Sequence, residues 1–262
     1  MAFATINGIT VHHELIGEAR AKKLIVFSNS LGTDFRIWLP LFDELPEDVS
    51  VLLYDSRGHG LSGTGDGPFT MDDLVDDLGA LVDHVGIRKA IFCGLSVGGL
   101  IVQGLFAKRP ELFDKMILCD TASKIGNDEM WNARIEAIEK SGLSSISDNV
   151  MERWFTPDFH QERGDDLAGY KLMMERQPAD GYVQTCASIR DADVTDISSA
   201  ITVPTLCIAG DQDGSTPPEL VRAMAERIPG ATFEEIPGCG HIPCVEQPEI
   251  LGELIEAFLR KT

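Results

Sequence analysis

The opening ATINGITVHHELIG alternates apolar and polar positions on either side of Asn7-Gly8, the pattern of two short strands joined by a tight turn. Six apolar runs then recur as candidates for buried strands: Leu24 to Ser28, Val51 to Tyr54, Lys89 to Cys93, Lys115 to Cys119, Pro204 to Ala209 and Thr232 to Ile236. Amphipathic helices separate most of them. The clearest spans Met71 to Val85, where Met71, Leu74, Val75, Leu78, Leu81, Val82 and Val85 share one face, and the spacing sends Asp72, Asp73, Asp76, Asp77 and Asp83 outward. Such alternation predicts an α/β fold: a mainly parallel eight-stranded sheet, helices on both faces and an antiparallel hairpin at the N-terminal edge.

The alternation breaks once. From about residue 121 to 197 the strand-like runs disappear and helical segments take their place, at Asp128 to Lys140, Ser147 to Phe155, Asp166 to Arg176 and Ala179 to Arg190. We expect a helical cap over 121–197, inserted into a core made of 1–120 and 198–262. Following the strand that ends at Cys119, such a cap would lie over the carboxyl ends of the strands, where open α/β sheets bind ligands.

With 262 residues, 44% of them hydrophobic, the chain can build the sizeable core of one such folding unit. A formal charge of -20 excludes the phosphate-neutralising surface of a nucleic-acid binder and disfavours acidic membranes. It would also oppose an anionic substrate, which would need a local cationic group in its pocket. No apolar run of about 18 residues is present to span a bilayer, and MAFATINGIT lacks the basic and apolar regions of a signal peptide. A cytoplasmic location with reduced thiols is the expectation; Cys93, Cys119 and Cys207 each sit in an apolar strand-like run.

Candidate chemistry begins at Gly94-Leu95-Ser96-Val97-Gly98-Gly99, which fits G-x-S-x-G, a sharp strand-to-helix turn with the serine at its apex. A serine hydroxyl needs a histidine to take its proton and an acid to orient that histidine. Gly210-Asp211-Gln212-Asp213 and Gly238-Cys239-Gly240-His241 each follow a predicted strand, so both lie on loops at strand carboxyl ends. Asp211 and Asp213 compete for the acid. Asp213 is favoured, because Asp211 adjoins the strand end and suits the turn, whereas two residues further on a side chain can reach the histidine. The oxyanion needs two donors, and the backbone N–H groups of Val97 and Leu31 are the candidates, one after the serine and one in Asn29-Ser30-Leu31-Gly32.

These motifs, with Tyr54-Asp55-Ser56-Arg57-Gly58-His59-Gly60-Leu61-Ser62 and Gly240-His241-Ile242-Pro243, resemble the α/β-hydrolase superfamily over nearly the whole chain. More narrowly, SNSLGTDFRIW, YDSRGHGLS, GLSVGGLIVQ and the stretches Trp131 to Arg134 and Arg153-Trp154-Phe155 are similar to 3-oxoadipate enol-lactonases of the β-ketoadipate pathway. The resemblance implies hydrolysis without cofactor or metal: Ser96 attacks the lactone carbonyl, and water activated by His241 releases 3-oxoadipate from the acyl-enzyme. It also implies a substrate carboxylate, for which Arg134 beside Trp131, with Trp154 on the next helix, is the candidate binding group.

Rival readings are a carboxylesterase or cofactor-free perhydrolase on the same triad and a non-catalytic ligand receptor on the same fold. A carboxylate-nucleophile dehalogenase is disfavoured by Ser96. Cys239, His241 and Cys244 do not complete a tetrahedral metal set. His59 is expected to support a turn, His12 and His13 to sit at the surface or a sheet edge, and the acidic residues at 72–77 to form a solvated face.

Overall fold

The computed structural model describes residues 1–260. Strands β1 (Ala2–Ile6) and β2 (Ile9–Ile16) form the N-terminal hairpin, closed by Asn7 and Gly8 at φ 45° and 81°. Both values lie in the left-handed region that two-residue hairpin turns require. Next come β3 (Leu24–Ser28), β4 (Ser50–Tyr54), β5 (Ala90–Leu95), β6 (Phe113–Cys119), β7 (Thr205–Gly210) and β8 (Thr232–Ile236). All eight belong to one sheet of order β1-β2-β4-β3-β5-β6-β7-β8, antiparallel at β1/β2 and β2/β4 and parallel elsewhere. The chain passes from β3 outward to β4 and returns to β5 on the other side of β3. That reversal is where a crevice opens at the carboxyl ends of parallel strands.

Helix α1 (Met71–Val85) begins at a capping box between Thr70 and Asp73 and ends at Gly86, φ 82°. The middle of its predicted apolar stripe, Leu74 to Val82, is buried and Met71 and Val85 at its ends are half-buried, but Asp77 departs from the expected outward position and is only 4% exposed. Arg57 reaches its two carboxylate oxygens at 2.7 and 2.8 Å, and Asn7 adds a hydrogen bond at 3.0 Å. The loop after β4 folds back onto α1, a long-range contact that helical periodicity does not encode. His12 and His13 also depart from expectation, because β1 and not β2 forms the sheet edge, and both are buried. His12 stacks on Phe3 at 5.0 Å and shares a hydrogen bond with Asp55 at 2.7 Å. His13 packs edge-on to His84, and burial lowers its tendency to protonate.

Helix α2 (Val97–Lys108) follows β5 directly. Between β6 and β7 the chain is helical: α3 (Asp128–Ser141), α4 (Ser147–Trp154), α5 (Pro157–Glu162), α6 (Gly164–Glu175), α7 (Ala179–Asp191) and α8 (Thr195–Ala200). Helices α9 (Pro218–Ala225), α10 (Pro243–Glu246) and α11 (Pro248–Arg260) complete the layers. A 3₁₀ stretch over Phe35–Glu44, without a counterpart in the sequence pattern, places Trp38 in the core; α5 and α8 have no counterpart there either. All six cysteines are free and buried. Among the described residues no helix is long and apolar enough to cross a membrane.

Candidate active site

Ser96 stands between β5 and α2 at φ 57°, ψ -118°, a backbone conformation costly for a residue with a side chain. Its neighbours explain how the chain tolerates it. A Cβ at Gly98 would lie 2.1 Å from the Ser28 carbonyl oxygen, and one at Gly94 would lie 2.4 Å from the Gly98 carbonyl oxygen. The glycines let the start of α2 press against the end of β3, and main-chain bonds fix the turn. The Ser96 N–H donates to the Cys119 carbonyl at 3.0 Å, and the Thr121 hydroxyl donates to the Ser96 carbonyl at 2.6 Å.

The β3 end of the crevice is held as firmly. Asn29 donates to the Tyr54 carbonyl at 2.8 Å and accepts from the Trp38 indole at 2.7 Å. Two of the N–H groups left over belong to Leu31 and Val97. Among the described residues neither Leu31 N–H nor Val97 N–H meets an acceptor within the chain, although both residues are buried. Val97 opens α2, where N–H groups have no intrahelical partner and the dipole favours negative charge. Unused buried donors are uncommon and mark a place where an oxygen from elsewhere is welcome.

The other two loops converge on the same rim. Asp211 caps the turn, accepting the Cys239 N–H at 3.1 Å, while Asp213 reaches His241 Nδ1 at 2.8 Å. Burial pushes the Asp213 carboxyl up, but the nearby His241 charge, its hydrogen bond and those from Thr216 and Ser215 outweigh that and hold it below its ordinary value. With Nδ1 donating to a carboxylate, His241 keeps its lone pair on Nε2. The imidazole backbone is anchored across the cleft, since the His241 N–H donates to the Trp154 carbonyl at 2.7 Å.

Ser96 and His241 line one narrow cleft, with Ser30, Leu31, Ile125, Met130, Trp131, Arg134, Arg153, Trp154, Tyr182, Ile189 and Ser215. Asp213 sits behind His241, itself only 4% exposed. All three residues proposed to contact substrate are here. The Arg134 guanidinium lies 4.9 Å over the Trp131 ring, and among the described residues no carboxylate pairs with Arg134 or Arg153. In a chain of charge -20, these two cations without a carboxylate partner line one cleft.

A profile of the α/β hydrolase fold matches residues 23–248. This chain belongs to the α/β hydrolase family. The hydrolase is 35% identical to 3-oxoadipate enol-lactonase 2 of Acinetobacter baylyi over 257 residues, covering 98% of this chain and 96% of the relative. It is also 35% identical to 3-oxoadipate enol-lactonase 1 of that organism, covering 97% and 94% of the two chains. The crystal structure of the enol-lactonase from Burkholderia xenovorans LB400 superposes with a TM-score of 0.95 at 34% identity, over 99% of this chain and 100% of that one.

Several cleft residues of this hydrolase escape sequence reasoning. Tyr182, Met130, Ile125 and Ile189 read as ordinary apolar helix positions, and nothing in periodicity tells a residue facing a cleft from one facing a core. Thr216, which donates to Asp213 at 2.6 Å, and Asp120 behind it are also missed. Asp120 follows β6 directly, so the strand-end reasoning used for Asp213 and His241 would have found it.

Asp120, Asp213 and His241 offer ligand atoms within 4.8 Å of one another, a spacing a metal ion could bridge. The hydrogen bonds argue against one. Both Asp213 oxygens already accept N–H or O–H donors, which stabilise an anion where a cation would be repelled. Cys239 and Cys244 fit a metal no better, because burial pushes both thiols well up and away from the thiolate form.

Proposed function

We propose that this hydrolase opens the lactone ring of 3-oxoadipate enol-lactone, with Ser96 as nucleophile, His241 as general base and acid, and Asp213 as its orienting acid. The observation that carries the reading is the meeting, in one cleft, of a strained serine, a carboxylate-bound histidine and an arginine lacking a carboxylate partner. The full-length similarity to enol-lactonases points to the same substrate class.

In the reaction, Ser96 Oγ adds to the lactone carbonyl carbon while its proton passes to His241 Nε2. The resulting alkoxide takes the free N–H groups of Leu31 and Val97. The ring C–O bond then breaks, the enol oxygen leaves with the proton from His241, and the enol tautomerises to the ketone. The acyl group remains on Ser96. A water molecule, losing its proton to His241, attacks that ester; Ser96 Oγ then leaves with that proton from His241, and 3-oxoadipate is released. Residues 121–197 act as the cap, with Arg134 binding the substrate carboxylate and Trp131 and Trp154 walling the ring.

Esterase activity on neutral substrates is the second reading, favoured by the apolar side of the cleft formed by Ile125, Met130 and Ile189. An absorbance assay with the enol-lactone generated in situ separates the two. The wild type should open it at least an order of magnitude faster than neutral esters of similar size. Equal or better turnover of the neutral esters would make the esterase reading the correct one.

A further inference from the structure

Asp120, the first residue beyond β6, is wholly buried and left-handed at φ 44°. Aspartate is among the few residues that tolerate this region. The turn aims its carboxyl between the two loops that carry Asp213 and His241. Oδ1 accepts the Gly210 N–H at 2.8 Å, at the base of the loop leading to Asp213. Oδ2 faces no donor at all.

A buried carboxylate oxygen with no donor is costly, and this one also neighbours a second carboxylate whose ionised state is secured by four hydrogen bonds. Two carboxylates this close do not both stay ionised. We propose that Asp120 is a neutral carboxylic acid whose Oδ2–H is directed at the Asp213 carboxylate, so that it serves as a positioning residue for the acid that orients His241. Burial first, and then the charge of Asp213, push the Asp120 carboxyl well above the ordinary range, in keeping with that geometry.

The proton stays on Asp120 throughout the reaction, and no bond to it forms or breaks. Its part is to give the Asp213 carboxylate a further donor and, through Gly210, to hold the turn from which Asp213 projects. The inference rests on reading Asp213 and His241 as members of the triad, but it does not depend on which ester the enzyme takes.

The test is infrared spectroscopy of the intact protein in heavy water near neutral pH, comparing wild type with Asp120→Asn. The wild type should show the carbonyl stretch of one protonated carboxylic acid, well separated from the carboxylate bands, and Asp120→Asn should lack it. The accompanying kinetics use both the enol-lactone and a simple activated ester. Asn supplies an acceptor in place of Oδ1 and an N–H donor in place of Oδ2, so Asp120→Asn should recover most of the rate that Asp120→Ala loses. That loss should be about tenfold to 100-fold in kcat, the scale of a small misplacement at a reacting group, with KM little changed. Identical infrared spectra for wild type and Asp120→Asn would overturn the proposal, as would an Asn variant that is folded by circular dichroism yet as slow as Ala. Failure of the triad reading shows separately, as undiminished turnover of both substrates by Ser96→Ala, while the infrared result is unaffected.

Discussion

On the sheet side of the cleft the main chain sets the geometry; on the helical side the side chains do. Ser96, Leu31, Val97 and His241 are placed by backbone bonds and by glycines that let chain segments touch, as at Gly98 against Ser28 and Gly240 against the Trp154 carbonyl. Trp131, Arg134, Trp154 and Tyr182 project from α3, α4 and α7 and are held by stacking, packing and, at Trp131, an indole hydrogen bond to the Ile125 carbonyl. The difference suits the division of labour proposed here. Chemistry needs fixed atoms at the reacting carbon, whereas substrate choice can be retuned by exchanging side chains on a helix.

The comparison is sharpened most by Ser96→Ala, which should lower kcat for the enol-lactone by roughly a millionfold while leaving the fold intact. Stopped assays over long times measure the residue of activity. Next in size is the contrast between the two neighbouring acids. Asp213→Asn should cost about 10⁴-fold in kcat, since His241 would lose the carboxylate that fixes its tautomer. Asp211→Asn should stay near the wild-type rate, because its carboxylate serves only the Cys239 turn; the reverse ranking would reassign the acid.

A smaller effect probes the main-chain argument. A Cβ at Gly240 would fall 2.4 Å from the Trp154 carbonyl oxygen, the group that anchors His241. Gly240→Ala should therefore reduce kcat by about 100-fold although no functional side chain is touched. Normal kcat in that variant would show that the backbone contact does not set the histidine.

The two buried carboxyls behind the cleft should also leave opposite marks on stability. Asp213 is held below its ordinary value, so its contribution is present above the unfolded carboxyl pKa, about 4, and is lost as pH falls through its lower folded value. Asp120 is held above, so its contribution is complete below about 4 and declines as pH rises through its folded value. Urea midpoints measured across pH should show Asp120→Asn gaining on wild type toward alkaline pH. Parallel curves would mean that Asp120 is ionised in the fold.

Most of this architecture is legible in the sequence because it rests on local signals. Strand-length apolar runs locate the sheet, the Asn7-Gly8 pair gives the hairpin, and the three strand-end loops carry Ser96, Asp213 and His241 in order. What escapes depends on contacts between distant segments. Asp77 turns inward only because Arg57 arrives from the β4 loop, and His12 is buried only because β1 and Asp55 cover it. The helical side of the cleft is the least legible part. There Tyr182 and Ile189 share the same spacing as core residues, and only the folded chain separates the two roles.

The division between fixed chemistry and adjustable choice is tested most directly by measuring kcat/KM for the anionic enol-lactone and for its neutral methyl ester, in wild type and in Arg134→Ala. The account predicts that Arg134→Ala loses about 10-fold to 100-fold on the anion, the scale of a hydrogen bond to a charged group, and little on the ester. Equal losses on both substrates, or none on the anion, would contradict it.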